Sequence, residues 1–185
     1  MIVAGIFVAI IVVLLLWFVG AYNGLIRLRN AMQEAWAQID VQLKRRHDLI
    51  PNLVETVKGY AAHERGTLDE VVQARGAAVN AHGPAEQAKA EQALGGALGR
   101  LMLLVENYPN LKADANFRAL QEELTSTENK IGFARQYYNE NVMQYNNRRQ
   151  SIPTNIIAGV CNFEAGTFFQ LEDAAQREAP QVKFS

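Results

Sequence analysis

The chain opens on an unbroken apolar run. Ile2 to Ala21 carries no charged or strongly polar side chain, and a helix over those residues, rising about 1.5 Å per residue, spans roughly the 30 Å hydrocarbon core of a bilayer. Beyond it the pattern turns from continuous to periodic. Leu25, Leu28, Met32, Trp36, Ile39 and Leu43 recur at spacings of three and four, which predicts one stripe on an amphipathic helix that continues out of the apolar segment. Pro51 has no amide hydrogen and disfavours helical geometry at the residue before it, so a turn is expected near Asp48 to Ile50, with a kink as the alternative.

A second helix is expected from Leu53, Val54, Val57, Ala61, Leu68, Val71, Val72 and Val79, ending before Ala81-His82-Gly83-Pro84, where glycine and proline favour a turn. A third runs from about Ala85 to Asn107 with Leu94, Leu98, Leu101, Met102 and Val105 inward. Gly95 and Gly99, four residues apart, are small enough to mark a close helix contact. Tyr108-Pro109-Asn110 ends it, and a loop leads to an N-cap at Asp114 or Asn116.

The fourth helix is long, with Phe117, Leu120, Leu124, Thr127, Ile131, Ala134, Tyr138, Val142 and Tyr145 on one stripe close to a seven-residue repeat. Pro153 stops it near Ser151, and Ile156, Ile157, Val160, Phe163, Phe168, Phe169 and Leu171 form an apolar tail before Pro180 that is expected to pack on the bundle. No strict period-two alternation of half-buried strands occurs between Leu25 and Ser151. The expected fold is all-α: an N-terminal single transmembrane helix in residues 1–21, then an antiparallel up-down four-helix bundle in residues 22–185 with a short apolar C-terminal segment.

Trp17 and Tyr22 stand where an interfacial aromatic belt would fall. A cleaved signal peptide is the competing reading, since Val19-Gly20-Ala21 offers small residues, but no Lys or Arg precedes the apolar run. Arg27 and Arg29 follow it closely and Lys44, Arg45 and Arg46 come later. Basic residues gather on the cytoplasmic side of membrane helices, which places the N-terminus outside and the C-terminal domain in the cytoplasm of a single-pass protein.

Composition narrows the function classes. The 185 residues hold 18 Lys+Arg against 19 Asp+Glu, a formal net charge of -1, so no whole-surface positive field favours nucleic acid, and none is expected as a partner. Cys161 is the single cysteine, which excludes an intrachain disulfide and a cysteine-rich zinc module. Its apolar neighbours point to a structural thiol.

His47, His63 and His82 form no Glu-x-x-His pair of the kind a di-iron bundle uses, and they are expected to be solvated. Glu122, Glu123, Glu128, Asp40 and Glu55 could meet inside a bundle as a carboxylate metal centre, but neither a nucleophile beside a base nor a glycine-rich phosphate loop accompanies them. No catalytic, cofactor-binding or metal-ligating residue is assigned, and the chain is not expected to be an enzyme.

What remains are candidate interaction residues. Lys44, Arg45 and Arg46 read either as cations at a helix C-terminus or as a docking patch for an acidic partner; at nearly 40 Å beyond the apolar segment, a straight helix carries them away from lipid. Tyr138-Asn139 and Tyr145-Asn146 repeat at seven residues, either as buried tyrosines whose hydroxyls find partners or as an exposed aromatic strip. Trp36 lies on a stripe that starts at the membrane, where the other helices need not cover it. That uncovered stripe suggests a homo-oligomer.

The stretches Tyr22-Asn23-Gly24-Leu25, Arg29-Asn30, Ala35-Trp36, Ile39-Asp40-Val41-Gln42-Leu43-Lys44-Arg45-Arg46 and Asp48-Leu49-Ile50-Pro51-Asn52-Leu53-Val54 resemble the LemA family of bacterial membrane proteins. The similarity continues through Val57-Lys58-Gly59-Tyr60-Ala61, Glu106-Asn107-Tyr108-Pro109-Asn110-Leu111-Lys112, Thr127-Glu128, Ala134-Arg135 and the two Tyr-Asn pairs. Ala37 and Asn162-Phe163 depart from it where Ser and Gly-Phe are usual. The resemblance implies a membrane helix with an outside N-terminus, a cytoplasmic helical bundle at the bacterial inner membrane, and no established enzymatic activity. It also implies roles in membrane organisation or quality control, because relatives occur beside membrane metalloproteases and in magnetosome membranes. A scaffold or adaptor that self-assembles is therefore the expected function, with a metalloprotease as a possible partner.

Overall fold

Helix α1 (Ile2–Tyr60) takes in the whole apolar run and passes Pro51 without a turn. The computed structural model describes residues 1–170 as this and five further helices: α2 (Arg65–Asn80), α3 (Gly83–Val105), α4 (Pro109–Ala113), α5 (Ala115–Gln150) and α6 (Thr154–Val160). The fold is all-helical, with no strand among the described residues. Leu171 and the approach to Pro180 lie outside them.

The turn expected at Asp48 to Ile50 is thus absent, and a partner distant in sequence explains why. Proline at 51 cannot donate to the carbonyl four residues earlier, leaving the His47 oxygen without its helical bond. Arg75 of α2 supplies the missing donor: its Nε lies 2.6 Å from His47 O. The second expected helix is divided instead at Ala61–Glu64, so that Leu53, Val54 and Val57 belong to α1 while Leu68 and Val71 belong to α2.

The other boundaries follow local chemistry. Gly83, at φ +76, takes the left-handed conformation that turns α2 into α3, and Pro84 occupies the first turn of α3. Asp114 caps α5, its Oδ1 accepting the Phe117 amide at 2.9 Å. The stretch expected as a loop before it contains the short helix α4, opened by Pro109. After α6 the chain turns through Asn162 at φ 53, with Asn162 N bonded to Gly159 O (3.3 Å) and Phe163 N to Ala158 O (2.9 Å). This pair of bonds is a Schellman motif, with asparagine in the usual glycine place.

Contacts divide the chain into two compact units. One comprises Met1–Leu43 with Asn129–Phe168, the other Lys44–Glu128 with Phe169 and Gln170. In the second, Ile50, Leu53 and Val57 of α1, Leu68 and Val71 of α2, Leu94 and Leu101 of α3, Leu111 of α4 and Phe117 of α5 share one core. Each such aliphatic side chain, fully buried, contributes about 1.5–3 kcal/mol. Val72 and Val79, expected inward, are half exposed, and Ala78 takes the inward place. Gly95 and Gly99 do not bring two backbones together: a Cβ at Gly99 would meet nothing within 4 Å.

The first unit has its own cluster, in which Ala21 and Leu25 of α1 meet Tyr145 of α5, Ile157 and Ala158 of α6, and Phe163. Cys161 packs against it half-buried. The tail is therefore split in role: Ile157, Phe163 and Phe169 are buried, whereas Ile156 and Val160, also expected to pack, face outward. The run before Ala21 is long and apolar enough to cross a membrane, and no side chain in it is covered by the rest of the chain.

Candidate interaction surfaces

Lys44, Arg45 and Arg46 do not share a surface. Successive helical residues turn by about 100°, and Arg46 falls on the stripe Ile39, Leu43, Arg46, Ile50, Leu53, all of them buried. Its Nη1 lies 2.7 Å from Glu128 Oε2 and 3.4 Å from Glu91 Oε2. Arg45 is exposed and paired with Glu123, and Lys44 is exposed. The three-cation docking patch is thereby reduced to two residues, one of them already engaged.

Glu91 is the centre of a buried polar group. Its Oε1 accepts from His47 Nε2 at 2.7 Å and from Gln87 Nε2 at 2.9 Å, and Gln87 also donates to Ala78 O at 3.0 Å. His47, expected in solvent, is buried here, while His63 and His82 are exposed. A signal for this was present: Gln87, Glu91, Leu94, Leu98, Leu101 and Val105 keep one helical spacing on α3, so Glu91 had to face the core opposite another polar group. Of the five carboxylates that could have met inside a bundle, Glu123 and Glu128 pair with Arg45 and Arg46 and Glu55 with Lys58, and among the described residues no group of three His, Cys, Asp or Glu side chains could hold a metal ion.

Tyr138 and Tyr145 are buried, and their hydroxyls hold an extended strap. Tyr145 donates to Glu164 O at 2.7 Å and Tyr138 to Thr167 O at 2.7 Å. Arg149 Nε reaches Phe163 O at 2.6 Å, and Asn146 both donates to Gly166 O and accepts from Gly166 N. The repeat of Tyr-Asn at seven residues thus provides hydrogen bonds to a segment that has no strand partner. Gly166 sits at a close approach: a Cβ there would stand 2.7 Å from Met32 Sδ and 3.3 Å from Val142 Cγ1, so the Met32 side chain would have to move. Burial pushes the Tyr138 hydroxyl up to about 12, and it raises that of Tyr145 as well.

Trp36 is half-buried, its ring edge-on to that of Tyr138 at 5.3 Å between centroids. Beside it the first unit presents a groove of about 470 Å³ lined by Gln38, Val41 and Gln42 of α1 and Lys130, Phe133, Ala134 and Tyr137 of α5. Phe133 is 74% exposed, Val41 63% and Tyr137 50%, and the Gln42 Oε1 atom is buried without a hydrogen-bond partner. The sequence reading missed these residues because it followed the buried stripe. Phe133 and Tyr137 each precede a stripe residue, Ala134 and Tyr138, and large apolar side chains off the stripe were the available signal.

The polar side chains lining this groove are Gln38, Gln42, Lys130 and Tyr137. The LemA family model matches residues 35–184. The chain belongs to the LemA family. Among curated proteins, it is 26% identical over 179 residues to the magnetosome protein MamQ 2 of Paramagnetospirillum magneticum, covering 83% of this chain and 66% of that protein. The chain thus spans just under two thirds of that relative's length. It is 24% identical to MamQ of Magnetospirillum gryphiswaldense, covering 87% and 70%, and 26% identical to the protein LemA of Metamycoplasma hominis, covering 84% and 72%. This LemA-family chain carries Trp36, Arg46, Tyr138 and Tyr145 inside the matched span, as parts of its helical framework.

Proposed function

We propose that this LemA-family protein is a membrane-anchored, non-catalytic scaffold that assembles with copies of itself and presents a cytoplasmic helical domain to partner proteins. The observation that carries the reading is the groove on α1 and α5. It exposes Val41, Phe133 and Tyr137 together on one face of the first unit. The uncovered apolar run at the start of α1 supports anchoring in a bilayer, and Arg27 and Arg29 beyond it favour an outside N-terminus. Anchoring confines every copy to one plane with its groove at the same height, which raises the effective concentration of like surfaces.

The intact protein, extracted in mild detergent, is expected to have a protein mass several times 20.6 kDa by light scattering. Phe133→Asp combined with Tyr137→Asp should return it toward the monomer with unchanged helical circular dichroism. A wild-type monomer would refute self-assembly. Regulation of a membrane metalloprotease through Lys44, Arg45 and Arg46 is the weaker reading, because Arg46 faces inward.

A further inference from the structure

The outward face of α6 has an uncommon composition for a surface. Ile152 is 84% exposed, Ile156 64% and Val160 74%; the spacing of four puts Ile156 and Val160 on one side of α6, and Ile152 stands in the turn that leads into it. No charged residue occurs from Gln150 to Phe163. The opposite face, Ile157 and Ala158, packs on Ala21 and Leu25, and Phe163 sits edge-on to Tyr22 at 5.6 Å beneath the Arg29 guanidinium at 5.5 Å.

This places α6 at a definite height. If the bilayer core ends near Ala21, Leu25 stands about 6 Å further along the helix, within the roughly 5–8 Å headgroup layer of one leaflet. An apolar helix face at that depth, in water, is costly; in the acyl boundary it is favourable. Tyr145 lies beside Leu25 and Tyr138 beside Trp36, so α5 descends toward the membrane and brings the exposed Arg148 to the same layer. Its charge suits anionic headgroups.

We propose that Ile152, Ile156 and Val160 form a second membrane contact, an interfacial foot that seats α6 in the leaflet beside the spanning helix. The foot would fix the tilt and rotation of the first unit against the bilayer, which a single spanning helix leaves unspecified. The inference rests on the reading that residues 2–21 span a membrane.

The test uses the full chain with Cys161→Ala and single cysteines introduced by Leu15→Cys, Val41→Cys, Ile156→Cys or Val160→Cys. Each is labelled with an environment-sensitive fluorophore in vesicles of phosphatidylcholine with a minority of phosphatidylglycerol. Lipids brominated near the headgroup should quench labels at 156 and 160 several-fold more than the label at 41, which lies about 30 Å along α1 from Ala21. Lipids brominated deep in the chain should quench the label at 15. Quenching at 156 and 160 no greater than at 41, with 15 quenched, would overturn the foot and leave the anchor standing. Labels at 156 and 160 shielded from aqueous iodide yet unreached by brominated lipid would mean that a second copy covers α6, and would also overturn it. A label at 15 that lipid does not reach would refute the anchor itself, and the foot with it.

Discussion

In the unit built from Lys44–Glu128, the polar groups taken into the core include a charged pair, Arg46 and Glu91, whose members lie on different helices. Arg46 and His47 of α1 meet Glu91 of α3, with Glu128 of α5 closing the pair. In the unit built from Met1–Leu43 and Asn129–Phe168, most are neutral: Tyr138, Tyr145 and Asn146 satisfy the backbone of one strap, helped by a single guanidinium, Arg149. The difference teaches how each unit tolerates damage. A buried charge left without its partner costs several kcal/mol, whereas a lost neutral hydrogen bond at a partly solvated carbonyl costs about one.

The sharpest way to break this contrast is Glu91→Leu, which takes the buried acceptor from His47 and Gln87 and leaves Arg46 to the half-exposed Glu128 carboxylate. A loss of about 3–5 kcal/mol is expected, read as thermal or urea unfolding of the detergent-solubilised protein by circular dichroism at 222 nm. Arg46→Leu combined with Glu91→Leu should regain most of it, since two apolar groups need no compensation. If the double variant is as unstable as the single one, charge pairing is not what holds this core.

Arg75→Ala comes next. It orphans the His47 carbonyl and should cost about 1–3 kcal/mol. In a Pro51→Ala background the same change should cost distinctly less, because alanine restores the amide that Arg75 replaces. Equal costs in both backgrounds would show that Arg75 acts through some other contact.

For the neutral unit, Tyr138→Phe should cost only about 0.5–1.5 kcal/mol at neutral pH. Alkali distinguishes its hydroxyl further. The folded state holds that group un-ionised up to about 12 against an ordinary 10.0, so the associated stability is full below about 10 and is lost as pH rises through the folded value. Denaturant midpoints of the wild type should therefore fall between those pH values more steeply than those of Tyr138→Phe.

The smallest effect is expected at the α5 cap. Hydrogen bonds from the Phe117 amide and the Tyr60 hydroxyl hold the Asp114 carboxyl below its usual 3.8. Its contribution is present above about 3.8 and disappears as pH falls through the lower folded value. The stability gap between wild type and Asp114→Ala should narrow on acidification over that range.

Much of the helical plan was legible in the pattern of residues. The long stripe from Phe117 to Tyr145 lies on one helix with its members buried or half-buried, and Asp114, Gly83 and Pro153 stand at the boundaries their chemistry favours. The candidate surface was less so, because its residues are defined by what fails to cover them. Tyr137 is exposed while its neighbour Tyr138 is buried, a difference set by the direction in which the helix turns each ring.

Periodicity and capping depend on neighbours within a turn or two, so the chain's own order was sufficient for α5 and for the apolar start of α1. It was insufficient at Pro51, where helix or turn depends on whether a donor arrives for the His47 carbonyl, and that donor comes from 28 residues away. It was equally insufficient at Arg46 and His47, which enter the core because Glu91 waits there, 44 residues beyond His47. An unsatisfied carbonyl or an unpaired charge is prohibitive inside a protein and inconsequential in water. Packing alone settles which of the two each group meets.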